Sequence, residues 1–176
     1  MPEAQPVSVL PASSGVIARA SRWVSLGCLW IAGAGLALMT VIISWQVFAR
    51  YVLNAPPSWS EQAALYILVW TVLFAAAAGV REQFHIRITV VQDNLPTGGR
   101  LLRILAHLVT LGVGLFLAIY GADLVRRLWD FAIPTLGLPR GSAFLPMPLA
   151  GALIAFFSAE HVAAILQGRE VTPTWP

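Results

Sequence analysis

Lysine is absent from this chain, and charge of any kind is scarce. Only 11% of its 176 residues are charged, and all eleven basic residues are arginines, whereas a soluble domain is charged at about a quarter of its positions. Cysteine occurs once, as Cys28 inside an apolar run. That excludes a disulfide framework or a thiolate metal site and leaves a small packed hydrophobe. None of the eight acidic residues falls at the centre of a long apolar run, so a proton or ion relay made by this chain alone has no carboxylate to use. Gly-rich phosphate loops and nucleophile elbows are missing too, and the chain is not expected to be an enzyme. The net charge of +3 does not point to nucleic acid. The arginines stand at the ends of apolar runs, where they reach headgroups and set orientation, rather than in a basic patch.

What the chain has is apolar length. It is 58% hydrophobic with a mean hydropathy of +0.76, more apolar surface than a soluble core of this size can hide. Uncharged intervals cover residues 23–49, 62–80, 104–122 and 141–159. Each meets the ~18–20 residues that cross ~30 Å of hydrocarbon. The fold expected is an all-α integral membrane protein with four transmembrane helices, at about 22–50, 60–82, 99–128 and 142–167, forming a domain over 21–167. Arg19 and Arg22 precede the first run as in a signal peptide, but the run far exceeds a ~7–15-residue h-region, so it reads as a retained helix. Residues 1–20 and 168–176 read as loose cytoplasmic tails.

Arginine bias orients the spans. With both termini inside, Arg19, Arg22, Arg81, Arg87, Arg100, Arg103 and Arg169 are cytoplasmic, and Arg50, Arg126, Arg127 and Arg140 external. Seven against four favours cytoplasmic termini. Residues 54–58, with Pro56 and Pro57, form a turn. Ser58 or Ser60 is expected to cap the second helix, and Ser58 to Glu61 has capping-box spacing. Trp59 suits the headgroup level. The segment 86–96 is too short and polar to span. Ile86, Val90, Val91 and Leu95 recur at helical spacing, so a short amphipathic interfacial piece is expected between helices 2 and 3. Pro146 and Pro148 fall near the start of the last helix, where a missing donor costs little.

The few polar side chains carry two readings each. Glu61 suits a helix-start dipole, or else a partner contact or an ion pair with Arg50. Arg50 suits the carbonyls ending the first helix. Arg81 and Glu82 read as solvated end charges or as a subunit contact, and His85 as a loop residue or a specific contact. His107 and His161 sit toward the same side of the membrane, where a bis-histidine haem is conceivable. Asp123 and Asp130 lie three or four residues from Arg126 and Arg127, the spacing of surface pairs. Small residues at Gly33, Gly35, Gly112, Gly114 and 75–79 permit close helix approach. With no ionisable group inside its spans, the chain reads as a packing or scaffold subunit.

One set of these residues recurs in a known order: Arg50-Tyr51, Asn54, Trp59-Ser60-Glu61, Trp70, Arg81-Glu82, His85-Ile86, Leu95-Pro96, and Pro148-Leu149-Ala150-Gly151. This resembles the small membrane subunit (DctQ-like) of the tripartite ATP-independent periplasmic, or TRAP, transporters, over about residues 20–167. Gln62 departs from the pattern, since the family often has a second acid there. The resemblance implies a stationary scaffold in the bacterial inner membrane, paired with a large membrane subunit that binds sodium and substrate and moves by an elevator motion. A periplasmic binding protein would deliver an organic acid. No cofactor is expected in this chain, and sodium is expected on the large subunit. Arg50, Tyr51, Trp59, Glu61, Trp70, Arg81, Glu82 and His85 become candidates for the partner interface. Arg126, Arg127 and Arg140 become candidates for docking the binding protein. A free-standing channel or small exporter is the alternative.

Overall fold

A computed structural model describes residues 16–82 and 99–167. Its helices are α1 (Val16–Tyr51), α2 (Ser60–Arg81), α3 (Gly99–Leu128), the short α4 (Arg140–Phe144) and α5 (Pro146–Leu166). Four spans are long and apolar enough to cross a membrane, the last made of α4 and α5 together. The chain is therefore an all-α membrane protein with four transmembrane helices. The expected interfacial piece at 86–96 lies outside the described residues, as do residues 1–15 and 168–176.

α1 has 36 residues, about 54 Å at ~1.5 Å per residue, so it tilts or projects beyond the hydrocarbon. Its continuation past Ala49 ends at Tyr51, and the turn that follows places Asn54 at φ +50°, a left-handed conformation that asparagine tolerates. α2 then starts without the expected serine cap. Trp59, the capping residue, is itself in right-handed helical conformation and makes no side-chain cap bond. The Ser60 hydroxyl instead donates to the Pro57 carbonyl at 2.8 Å. The capping box is thus not formed, and Glu61 is left to another partner.

The last span, expected as one helix from about 142, is interrupted at its prolines. Pro146 and Pro148 lie in the first turn of α5, and the donor that Pro146 lacks separates α5 from α4. Between α3 and α4 the chain forms a tight hairpin. The amide of Ile133 donates to Leu138 at 2.8 Å and that of Arg140 to Phe131 at 2.6 Å. Gly137 takes φ +66° at its tip, a conformation open to glycine at no steric cost.

The helices pack in the order α1, α2, α5, α3, a row in which the two middle members bury the most surface. Cys28, Phe74 and Ala78 join α1 to α2, with Trp70 and Leu153 against them. Ala77, Ala150 and Ile154 join α2 to α5, with Leu117 reaching in from α3. The closest approach is between α3 and α5. A Cβ on Gly151 would stand 2.5 Å from the Ala118 amide nitrogen, and one on Gly114 would stand 2.7 Å from that of Ala155. Glycine here removes the only atom that would hold the backbones apart. Gly33 and Gly112 face open space instead.

Candidate functional site: two polar clusters at opposite ends of the row

Alternating helix direction brings the starts of α1 and α3 to the same end as the finishes of α2 and α5. At that end five polar side chains converge. Arg81, the last residue of α2, and Glu82, its C-cap, form an ion pair of 3.1 Å whose side chains are 2% and 1% exposed. The Arg81 Nε donates to the Ser21 hydroxyl at 3.2 Å, and Ser25 donates to Glu82 at 2.9 Å. Ser21 in turn donates to Glu160 of α5 at 3.0 Å. The expectation of solvated end charges is corrected here. Both residues turn inward because Ser21 and Ser25, one turn apart on α1, offer hydroxyls that replace water. A pair this deeply withdrawn from water holds only with such extra bonds. The result is a polar pin through α1, α2 and α5.

His107 of α3 and His161 of α5 continue the pin. Both are buried, and their rings stack with centroids 4.7 Å apart and planes 9° off parallel. His161 is also hydrogen-bonded to the backbone at Val80 and Arg81. The two rings thus lie directly against each other between α3 and α5. No group of three or more potential metal ligands occurs among the described residues.

At the opposite end the α1–α2 corner holds the second cluster. Arg50 reaches Glu61 at 3.4 Å with both side chains exposed, and Gln46 donates to the same carboxylate oxygen at 3.1 Å. Glu61 stands in the first turn of α2, where its charge suits the helix dipole, and it makes the ion pair with Arg50 as well. Tyr51 (76% exposed) and Trp59 (41%) project from this corner. An exposed pair of this kind adds well under about 1 kcal/mol, so Glu61→Gln is expected to leave the melting temperature of the purified protein almost unchanged.

Of the other candidates, Trp70 is half-buried and stacks between Tyr66 and Phe74 at ring distances of 6.2 and 6.0 Å. His85 lies outside the described residues. Arg126, Arg127 and Arg140 are all exposed beside the hairpin, at the same end as Glu61. Arg127 pairs with Asp123 at 2.7 Å, as the spacing predicted. Ser21, Ser25 and Glu160 were not singled out from sequence. The serine pair at i, i+4 in an otherwise apolar helix, and the one acid near the end of the last span, were the available signals.

A row of four membrane-crossing helices, pinned by buried charge at one end, defines a multi-pass membrane protein. Residues 39–168 match the family model of the DctQ component of the tripartite ATP-independent periplasmic transporters, and the chain belongs to that family. It is 26% identical over 136 residues to the sialic acid TRAP transporter small permease protein SiaQ of Vibrio cholerae, covering 75% of this chain and 77% of that protein. It is 29% identical over 123 residues to a Haemophilus influenzae chain assigned as a TRAP transporter small permease protein, covering 68% and 75% respectively. The chain is thus a TRAP transporter small permease subunit.

Proposed function

We propose that this subunit is the stationary scaffold of a sodium-coupled importer of an organic acid. It would act with a large membrane subunit, which binds the sodium and the substrate, and with a periplasmic substrate-binding protein. The observation that carries the reading is the pinned row itself, with ionisable groups tied off at the ends and apolar outer faces on α1 and α3. A domain that carries an ion through ~30 Å of hydrocarbon needs a wall that does not move with it. The family match and the sialic acid relative support an acidic substrate. The arginine bias supports cytoplasmic termini in the bacterial inner membrane, which puts the Arg81–Glu82 pin inside and the Arg50–Glu61 corner with the hairpin outside.

Co-expression with a large TRAP membrane subunit, followed by affinity purification and reconstitution, tests the reading. A stoichiometric complex that imports an organic acid only with sodium and binding protein is the expected result. A chain that purifies alone and transports by itself would replace the scaffold with a channel or exporter. Within the complex, Glu61→Ala is expected to reduce recovery of the large subunit although it barely alters stability, because it frees Arg50 and the corner that Trp59 and Tyr51 present. Reversing charge at Arg126, Arg127 and Arg140 together is expected to weaken docking of the binding protein, measured by surface-immobilised complex. Unchanged docking would remove these arginines from the interface.

A further inference from the structure

The face of α1 turned away from α2 carries a pattern that packing within the chain does not use. Ser21, Ser25, Cys28 and Ala32 are buried toward α2 and α5, while Arg19, Arg22, Trp23, Trp30, Ala34, Ala37 and Val41 are exposed. At ~100° per residue, Arg19, Trp23 and Trp30 fall within about 40° of one another, on the side opposite the buried stripe. Trp23 and Trp30 are 70% and 77% exposed. Between them lies Gly27, over which a Cβ would meet nothing within 4 Å. Two indoles about 10 Å apart along the helix therefore wall a notch whose floor is bare backbone.

Among the described residues, no carboxylate compensates the charge of Arg19 and Arg22 at the top of this notch. The two described acids nearest that end, Glu82 and Glu160, are bound inward to Ser25, Ser21 and Arg81 on the other side of α1. Depth fits as well. Arg22 and Arg50 are separated by about 42 Å of helix, close to the ~40–45 Å between the two headgroup layers. Arg19 and Arg22 then stand at phosphate level, Trp23 at the interface and Trp30 beside the upper acyl chain.

We propose that this face is a binding site for one anionic phospholipid. Its phosphate sits on Arg19 and Arg22, and one acyl chain lies in the notch over Gly27 between Trp23 and Trp30. Guanidinium groups suit phosphate oxygens through paired donors, and indoles are at home where chain meets headgroup. A second protein helix against the same face would have to bring its own acids to meet the two arginines, whereas an anionic lipid brings its phosphate.

The full chain reconstituted in phosphatidylcholine vesicles provides the test. An equal share of lipid brominated on the acyl chain is supplied as either phosphatidylglycerol or phosphatidylcholine, and tryptophan quenching is titrated. In the unaltered protein the brominated phosphatidylglycerol is expected to quench at about thirtyfold lower mole fraction, as two basic groups near an anionic headgroup imply. Arg19→Gln/Arg22→Gln is expected to abolish that preference. Trp23→Phe/Trp30→Phe is expected to remove the selectively quenched component, leaving the remaining tryptophans equally sensitive to both lipids. Equal quenching of the unaltered protein by the two lipids overturns the proposal. So does a preference that survives loss of both arginines, or failure of either lipid to quench Trp23 and Trp30, as a protein covering the face would cause.

Discussion

Gly151→Leu is expected to force α3 and α5 apart and to cost the protein more than any surface change. A side chain at this position meets backbone on three sides: the Ala118 amide nitrogen at 2.5 Å, the Gly114 carbonyl at 2.8 Å and the Leu117 carbonyl carbon at 2.9 Å. Side chains can rotate away from an intruder, but a helix backbone moves only as a whole. Overpacking costs about 1–3 kcal/mol, and the rigid contact places this substitution at the upper end, a fall of about 6–12 °C in melting temperature. Gly112→Leu supplies the control, since that glycine lies on the facing helix α3 but faces open space. Size-exclusion profiles after a heating series should separate the two variants. Equal losses would mean that the α3–α5 contact is looser than its geometry.

Glu82→Leu has the second large effect, for an electrostatic reason. It leaves Arg81, whose side chain is 2% exposed, without its nearest counter-charge and leaves the Ser25 hydroxyl without its acceptor. Stranding one member of a buried ion pair costs about 3–5 kcal/mol. Removing both charges together, as Arg81→Met/Glu82→Leu, is expected to recover most of that loss, because no charge is then left without water or partner. The measurement is a double-mutant cycle of thermal stability in detergent. A double variant as unstable as Glu82→Leu would show that the pin depends on the arginine's own bonds to Ser21 rather than on the pair.

The four spans were legible because charge in this chain is so rare that its gaps draw the helices. The prolines near the start of the last helix and the Arg127–Asp123 pair followed from local chemistry that needs no third dimension. The inward turn of Arg81 and Glu82 was not legible. Adjacent opposite charges at a helix end look the same whether water or Ser21 and Ser25 receives them. The serines lie about sixty positions away, and only the α1–α2 pairing brings them near. The missing capping box has a similar origin. Ser58 and Glu61 have the right spacing, but Pro56 and Pro57 fix the chain so that Ser60 serves the Pro57 carbonyl and Glu61 faces Gln46 and Arg50. Glycines divide in the same way: Gly114 and Gly112 are two residues apart, and only the position of α5 decides which one is indispensable.

The row places the last-made helix in its interior, since α5 lies between α2 and α3 and α3 has no extensive contact with α1 or α2. During synthesis α1 and α2 can zip into a hairpin as soon as both have emerged. The third helix must then wait in lipid, with Gly114 and Gly121 bare, until the C-terminal segment leaves the ribosome and slides in beside it. Assembly is gated by the arrival of the fourth span. Nascent chains halted before residue 146 would offer the quality-control proteases an unclosed α3, whereas the finished protein presents none.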